Sequence, residues 1–328
     1  MATPCFERLA AYYGASNVTL VCPPIGVSLF QGNRWFREML AFDRKGAHRG
    51  LLGTAKFAGE LRRRKFDLGL ILPNSFSSAW LFFQGRVKHR VGYFKDGRSF
   101  LLHAGRERDK NDAGNFVPKY TGRYFMELLD VIGLPPGELR PGLPISGAER
   151  AGASEFLHAN RLTGGPLVIC APGGAFGPSK LWPLDGYAAV LNRLADDGAK
   201  VLISHAPNEL AEAQGVLKAA GRVYPTSAGI DLGVLKAVYA QADLVLTNDT
   251  GPRHLAVALG RPVVTIMGPN DPRYTDLPGV EIGEVIREPV DCTPYTWPCQ
   301  LKECPIDHRC MKAITVERVL QSCRGVLG

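Results

Sequence analysis

Short apolar runs separated by longer amphipathic stretches recur along the whole chain. The runs Val18–Cys22, Asp67–Leu72, Arg90–Tyr93, Leu167–Ala171, Lys200–Ser204, Leu244–Thr247 and Pro262–Met267 have the length and β-branched content of strands. Helical periodicity occupies Thr3–Tyr13, Asn33–Phe42, His48–Arg64, Tyr120–Ile132, Ala148–Asn160, Leu184–Asp196, Glu209–Ala220 and Leu232–Ala240, with a last short helix over Thr315–Cys323. Strands that alternate with helices pair in parallel, because a parallel partner needs a long crossover, and the helices then cover both faces of the sheet. The class is therefore α/β. The segment Leu134–Gly147 concentrates proline and glycine and reads as a linker. It divides the 328 residues into two doubly wound, Rossmann-like domains, 1–145 and 146–328, expected to face a cleft. The chain opens on a helix and reaches its first strand only at Val18.

The formal charge is +8, with basic runs at Arg34–Arg37, Arg44–Arg49, Arg62–Lys65 and Arg86–Arg90. Such an excess fits an anionic partner, although any single run fits a solvated helix face more simply. No zinc-finger, RRM or aromatic-interleaved basic segment is present, so no nucleic-acid partner is expected. No apolar run approaches the roughly 18 residues that span a bilayer. The start lacks the charged and apolar regions of a signal peptide. A cytoplasmic location with reduced thiols is expected.

Two segments carry chemistry. In the first, the run Leu244–Thr247 leads into Asn248-Asp-Thr-Gly-Pro-Arg-His254. Thr250 is placed to cap a helix and Pro252 to begin it. The backbone N–H groups of Thr250, Gly251 and Arg253 would then form an anion site suited to a pyrophosphate, with His254 one turn in. Capping alone would explain Thr250 and Pro252 without any ligand. In the second, Val168–Ala171 runs into the glycine-rich loop Pro172–Lys180, where Gly173 and Gly174 permit close backbone approach and Lys180 supplies a point charge. The spacing is neither a Walker A loop nor a dinucleotide fingerprint, and a turn with no ligand is the plain alternative. Four cysteines, Cys292, Cys299, Cys304 and Cys310, lie within 19 residues beside His308. Their spacing lacks a Cys-x2-Cys knuckle, so structural thiols are expected and zinc ranks behind them.

Five stretches together resemble glycosyltransferase family nine, the ADP-heptose:lipopolysaccharide heptosyltransferases, most closely the heptosyltransferase II branch. They are Phe42-Asp-Arg-Lys-Gly; Leu72-Pro-Asn-Ser-Phe with Arg90-Val-Gly-Tyr; Pro172–Pro183; Asn248–His254 with Gly268-Pro-Asn-Asp-Pro; and Glu303-Cys-Pro-Ile-Asp-His-Arg-Cys-Met. The resemblance implies a GT-B fold and an inverting, metal-independent transfer that needs no cofactor. In keeping with it, no Asp-x-Asp pair occurs in the sequence. It implies catalytic roles for Lys180 and Asp249. Donor contacts fall to Gly173, Gly174, Lys180, Asp249, Thr250, Gly251, Pro252 and His254, with Glu209 a candidate for the nucleotide ribose. Asn74 and Ser75 fall on the acceptor side. The implied partners are an ADP-sugar donor and the lipopolysaccharide inner core, with peripheral contact at the cytoplasmic face of the inner membrane.

The sequence departs from the family at its start. Members begin with an apolar strand and a Gly-Asp loop that carries the general base, and here Met1-Ala-Thr-Pro-Cys-Phe falls on the helix that follows. Either the natural start lies upstream, which is favoured, or the chain lacks its base. Transfer of another sugar to another glycan, and sugar-nucleotide binding without catalysis, therefore stand as alternatives. Arg253 replaces a usual methionine, and Ser77 a frequent basic residue.

Overall fold

The computed structural model describes residues 1–328 except Pro136, Ala175, Phe176, Pro278, Val280, Glu281 and Tyr295. The chain divides into two compact units, Met1–Pro141 and Gly142–Gly328.

The first unit opens with α1 (Thr3–Tyr13), which buries Cys5 and Phe6. Next come β1 (Thr19–Cys22), α2 (Pro24–Leu29) and β2 (Glu38–Ala41), and β1 and β2 pair in parallel from Thr19↔Glu38 to Cys22↔Ala41. The chain continues through α3 (Gly50–Arg64), β3 (Leu68–Ile71), α4 (Phe76–Gln84), β4 (His89–Tyr93), β5 (Ala104–Arg106) and α5 (Thr121–Val131). A second parallel sheet has the order β3-β4-β5. The unit thus holds two short sheets, and among the described residues β1 bonds only β2 and β3 only β4.

The helix expected over Asn33–Phe42 does not form. The Asn33 carboxamide accepts from the N–H groups of Trp35 at 2.7 Å and Phe36 at 3.0 Å. That local turn competes with a helical start. Trp35 and Phe36 then join Phe6 and Phe30 in an edge-on aromatic cluster, and the chain extends into β2.

The second unit runs α6 (Gly147–Ala159), β6 (Leu167–Ala171), α7 (Leu184–Asp196), β7 (Lys200–Ile203), α8 (Leu210–Ala220), α9 (Leu232–Tyr239), β8 (Leu244–Asn248) and α10 (Gly251–Ala258). It ends with β9 (Val263–Ile266), β10 (Gly283–Ile286), α11 (Arg309–Lys312) and α12 (Val316–Leu327). All five strands are parallel, in the order β10-β9-β8-β6-β7. Side chains alternate across the sheet. Val168, Cys170, Leu244 and Leu246 pack with Trp182, Tyr187 and Leu191 on one face. Leu167, Ile169 and Val245 pack with Leu157, Tyr239 and Ala256 on the other. Burial of both faces explains why these strands read as continuous apolar runs.

The strand order reverses between β6 and β8. In an open parallel sheet the loops that leave such a pair diverge, and a crevice opens at the strands' carboxyl ends. The glycine-rich loop leaves β6 and the Asp249–Gly251 turn leaves β8.

The edge strand β10 starts at Gly283, whose φ is 122° and whose added Cβ would sit 2.1 Å from the Val263 carbonyl oxygen. Gly283→Ala is therefore expected to cost about 1–3 kcal/mol. A lowered urea midpoint checks this, and an unchanged midpoint refutes it.

Candidate active site

The two loops at the strand-order reversal are tied together by buried polar groups. Asn248, fully buried at the end of β8, donates its amide to the carbonyls of Pro172 and Gly173, each at 3.0 Å. Its own carbonyl oxygen accepts from the Tyr187 hydroxyl at 2.8 Å. One row further in, the Thr247 hydroxyl donates to the Ala171 carbonyl at 3.0 Å. The glycine loop is thus fixed to β8 at its root.

Lys180 arrives on a short 3-10 turn, Pro178–Lys180, steadied where the Ser179 N–H donates to the Lys302 carbonyl at 3.1 Å. Its Nζ donates to the Asp249 carbonyl oxygen at 2.8 Å and lies 3.4 Å from Asp249 Oδ2. The lysine and the start of α10 therefore meet, as the site requires.

Arg253, with no exposed surface, donates to Asp249 Oδ1 at 2.9 Å and to the Thr275 hydroxyl at 3.1 Å, and lies 3.7 Å from Asp276. The Asn270 amide donates to Asp249 Oδ2. Burial works to raise the Asp249 pKa, but the Arg253 and Lys180 charges overcome it and hold the carboxyl below its ordinary value. Burial lowers the Lys180 pKa, with Asp249 pulling the other way. Both Asp249 oxygens are thus engaged by the protein. With Asp276 also beside Arg253 the cluster is close to neutral, and Lys180 Nζ is the cation at the strand ends suited to a phosphate-bearing ligand.

Three local expectations need correction or refinement. Thr250 occupies the cap position of α10 but its side chain makes no cap bond. Its N–H is not free for an anion, because it donates to the Asn248 carbonyl at 2.8 Å. Pro252 is the second helical residue, after Gly251, and both lie in the first turn. A Cβ on Gly251 would meet nothing within 4 Å, so the space in front of α10 is open to a ligand.

Gly173 does more than loosen the loop. An added Cβ there would fall 2.2–2.5 Å from the Glu209 carboxylate atoms, so only glycine lets Glu209 lie against the loop. Glu209 Oε2 accepts from the Ala206 N–H at 3.1 Å. Gly174 likewise leaves room for Leu181. Ala175 and Phe176, the middle of the same expected loop, lie outside the described residues.

Burial, and then the neighbouring Arg253 charge, push the His254 pKa down to about 4. The ring is neutral at pH 7 and can still donate one N–H to an anion. Because the unfolded chain binds this proton more readily than the folded one, stability should fall as pH drops from about 6.5 and stop falling near 4. Urea midpoints at pH 7 and pH 5 check this. His254→Asn should reduce the difference, and an equal difference in the variant would exclude the histidine as its source.

In the first unit, Ser75 caps α4 by accepting from the Ser78 N–H at 3.3 Å, a structural role in itself. Asn74 Oδ1 accepts from the Tyr124 hydroxyl at 3.1 Å and from Arg98 at 3.4 Å. Arg98 is fully buried and also donates to the carbonyls of Tyr93, Pro73 and Ser75. Its position between turn residues gave no periodic signal in the sequence. Asn270 and Tyr187 were likewise not singled out, although Asn270 stands in the Gly268-Pro-Asn-Asp-Pro stretch.

All eight cysteines are free thiols. Burial raises the Cys310 thiol pKa, Cys292, Cys299 and Cys304 lie near enough to push it up further, and among the described residues no three His, Cys, Asp or Glu side chains form a metal-ligand group.

Residues 54–305 match the family model described as glycosyltransferase family 9 (heptosyltransferase). The chain belongs to glycosyltransferase family 9. It is 32% identical over 295 residues to lipooligosaccharide heptosyltransferase 2 of Haemophilus influenzae, covering 84% of this chain and 81% of that protein. It is 31% identical over 231 residues to lipopolysaccharide heptosyltransferase 2 of Escherichia coli, covering 67% and 65%. A family 9 glycosyltransferase structure from Veillonella parvula superposes with a TM-score of 0.84 at 21% identity, covering 99% of this chain and 92% of that one. The E. coli ADP-heptose heptosyltransferase II structure superposes with a TM-score of 0.75 at 24% identity, covering 99% and 94%. The family 9 chain is thus a glycosyltransferase of the GT-B fold. Among the described residues, no helix is long and apolar enough to cross a membrane.

Proposed function

We propose that this family 9 protein transfers heptose from ADP-heptose to the lipopolysaccharide inner core, with inversion and without a metal ion. The second unit holds the donor and the first the acceptor. The supporting observation is the pairing of Lys180 Nζ with the Asp249 carbonyl, 2.8 Å away, at the open start of α10 where β6 and β8 diverge. As the sugar–phosphate bond breaks, negative charge builds on the departing ADP. Lys180 and the positive end of α10 are already in place to meet that charge, so no divalent cation is needed there. Glu209, against Gly173, is suited to accept from ribose hydroxyls. Asn74, held by Arg98 and Tyr124, is the acceptor-side group. An acceptor that carries acyl chains places the reaction beside the inner membrane.

The test is transfer from ADP-heptose and from ADP- and UDP-hexoses to a deacylated inner-core acceptor, with and without EDTA. ADP-heptose should be preferred and EDTA should have no effect. Preference for a hexose donor, or abolition by EDTA, would overturn the corresponding part. Tight ADP-heptose binding with no transfer would favour the non-catalytic reading.

A further inference from the structure

The first unit carries a second basic site whose residues lie outside the acceptor group proposed for Asn74. An open pocket of about 540 Å³ lies at the end of α4, lined by Trp80, Phe83 and Gln84 from the helix and by Arg62, Arg86, Lys88 and Arg90 around it. Four cations therefore surround one pocket. Lys88 pairs with Asp67 at 2.6 Å. Arg62, Arg86 and Arg90 form no ion pair among the described residues. Arg62 is oriented by donating to the Gln84 carbonyl at 2.6 Å. Arg90 is oriented by the carbonyls of Leu101 and Val87, each at 2.6 Å, and sits 5.3 Å from the Phe83 ring centre. The side-chain oxygen of Gln84 is buried without a hydrogen-bond partner. Orphaned buried acceptors are uncommon in a folded protein and fit a donor supplied from outside.

An aromatic row borders this pocket. Phe76, Trp80 and Phe83 lie at i, i+4 and i+7, on one face of α4. Trp80 stacks 6.2 Å from Phe76 and 5.4 Å from Phe83, and Phe100 adds a fourth ring 6.1 Å from Phe76. Phe76 is 43% exposed, Phe83 44% and Phe100 72%. Single exposed apolar residues are ordinary, but a contiguous row of rings against unpaired guanidinium groups is the composition of a surface that works at a lipid–water interface.

We infer that this face docks on an anionic phospholipid bilayer. The pocket takes the phosphate of a lipid headgroup between Arg62, Arg86 and Arg90. Phe76, Trp80, Phe83 and Phe100 enter the interfacial layer. The inference deepens the proposed location beside the membrane and rests on that reading. It does not involve the donor site, so the two can fail separately.

Co-sedimentation of the full chain with phosphatidylcholine vesicles, with or without phosphatidylglycerol, tests it, and calorimetry with ADP-heptose on the same preparations reports the donor site. Wild type should bind the phosphatidylglycerol vesicles roughly tenfold or more tightly than phosphatidylcholine alone. The double variant Arg62→Gln/Arg86→Gln should lose that preference. Phe100→Ser, at an exposed position that leaves folding intact, should weaken binding to both vesicle types. ADP-heptose affinity should not change in either variant. Equal vesicle binding by wild type and the double variant would overturn the inference, and so would wild type that stays in the supernatant. Saturable binding of inorganic phosphate or glycerol phosphate without vesicle binding would overturn it too, by marking the pocket as a site for a small soluble anion.

Discussion

Lys180→Ala is expected to lower kcat by about 10²–10³-fold, the usual cost of removing one preorganised group from a developing negative charge. The fold should survive. Asp249, which loses the lysine, keeps Arg253 and Asn270 as partners, so the aspartate is not left as an isolated buried charge. ADP affinity should fall less than kcat, because the charge on the departing diphosphate is greatest in the transition state. Lys180→Arg should restore little. The lysine reaches its place through a short turn and donates to the Asp249 carbonyl and to its Oδ2, and a planar guanidinium does not fit that geometry. Steady-state transfer rates and ADP calorimetry check both variants. Wild-type turnover in Lys180→Ala would remove the lysine from the mechanism.

Arg253→Ala is expected to act on stability first, with a loss of about 3–5 kcal/mol. The arginine is fully buried, and truncating it leaves an empty volume beside a carboxylate deprived of its shortest ion pair. Arg253→Met combined with Asp249→Asn removes that pair and keeps the space filled but leaves buried Lys180 without its carboxylate, so it should recover only part of that loss. Urea unfolding of the single and double variants checks the expectation, and additive effects would refute the coupling. The sign with pH follows from the depressed Asp249 pKa. The pair's contribution is present above the ordinary carboxylate range and is lost as pH falls through the lower folded value.

The second unit was far more legible in the sequence than the first. Its central strands β6, β8 and β9 are buried on both faces and read as unbroken apolar runs, and the helix expected over Leu184–Asp196 matches α7 to the residue, although the part-exposed edge strand β10 gives no such run. In the first unit the strands are short and half-buried, and a side-chain turn at Asn33 redirected what looked like a helix. Residues 76–84 are apolar on most sides, so their periodicity was weak and α4 went unremarked. Within the site, Lys180 and the Asp249–His254 turn were legible because charge and helix-start chemistry are local in sequence. The engagement of Asp249 Oδ2 was not, because Asn270 and Lys180 approach from 21 and 69 positions away. Arg98 was hidden for the same reason, since its partners are mostly backbone carbonyls of distant turns.

The reversal of strand order between β6 and β8 also bears on how donor preference can change. The ligand-facing atoms sit on segments that leave the sheet in opposite directions, anchored at their roots by Asn248 and Thr247. Exchanges at loop positions that hold no buried partner, unlike Thr275 and Asp276 at Arg253, therefore leave the ladder beneath untouched. A scaffold built this way can drift from one activated sugar to another while its interior stays the same, and the anchoring amide of Asn248 is where that tolerance should end.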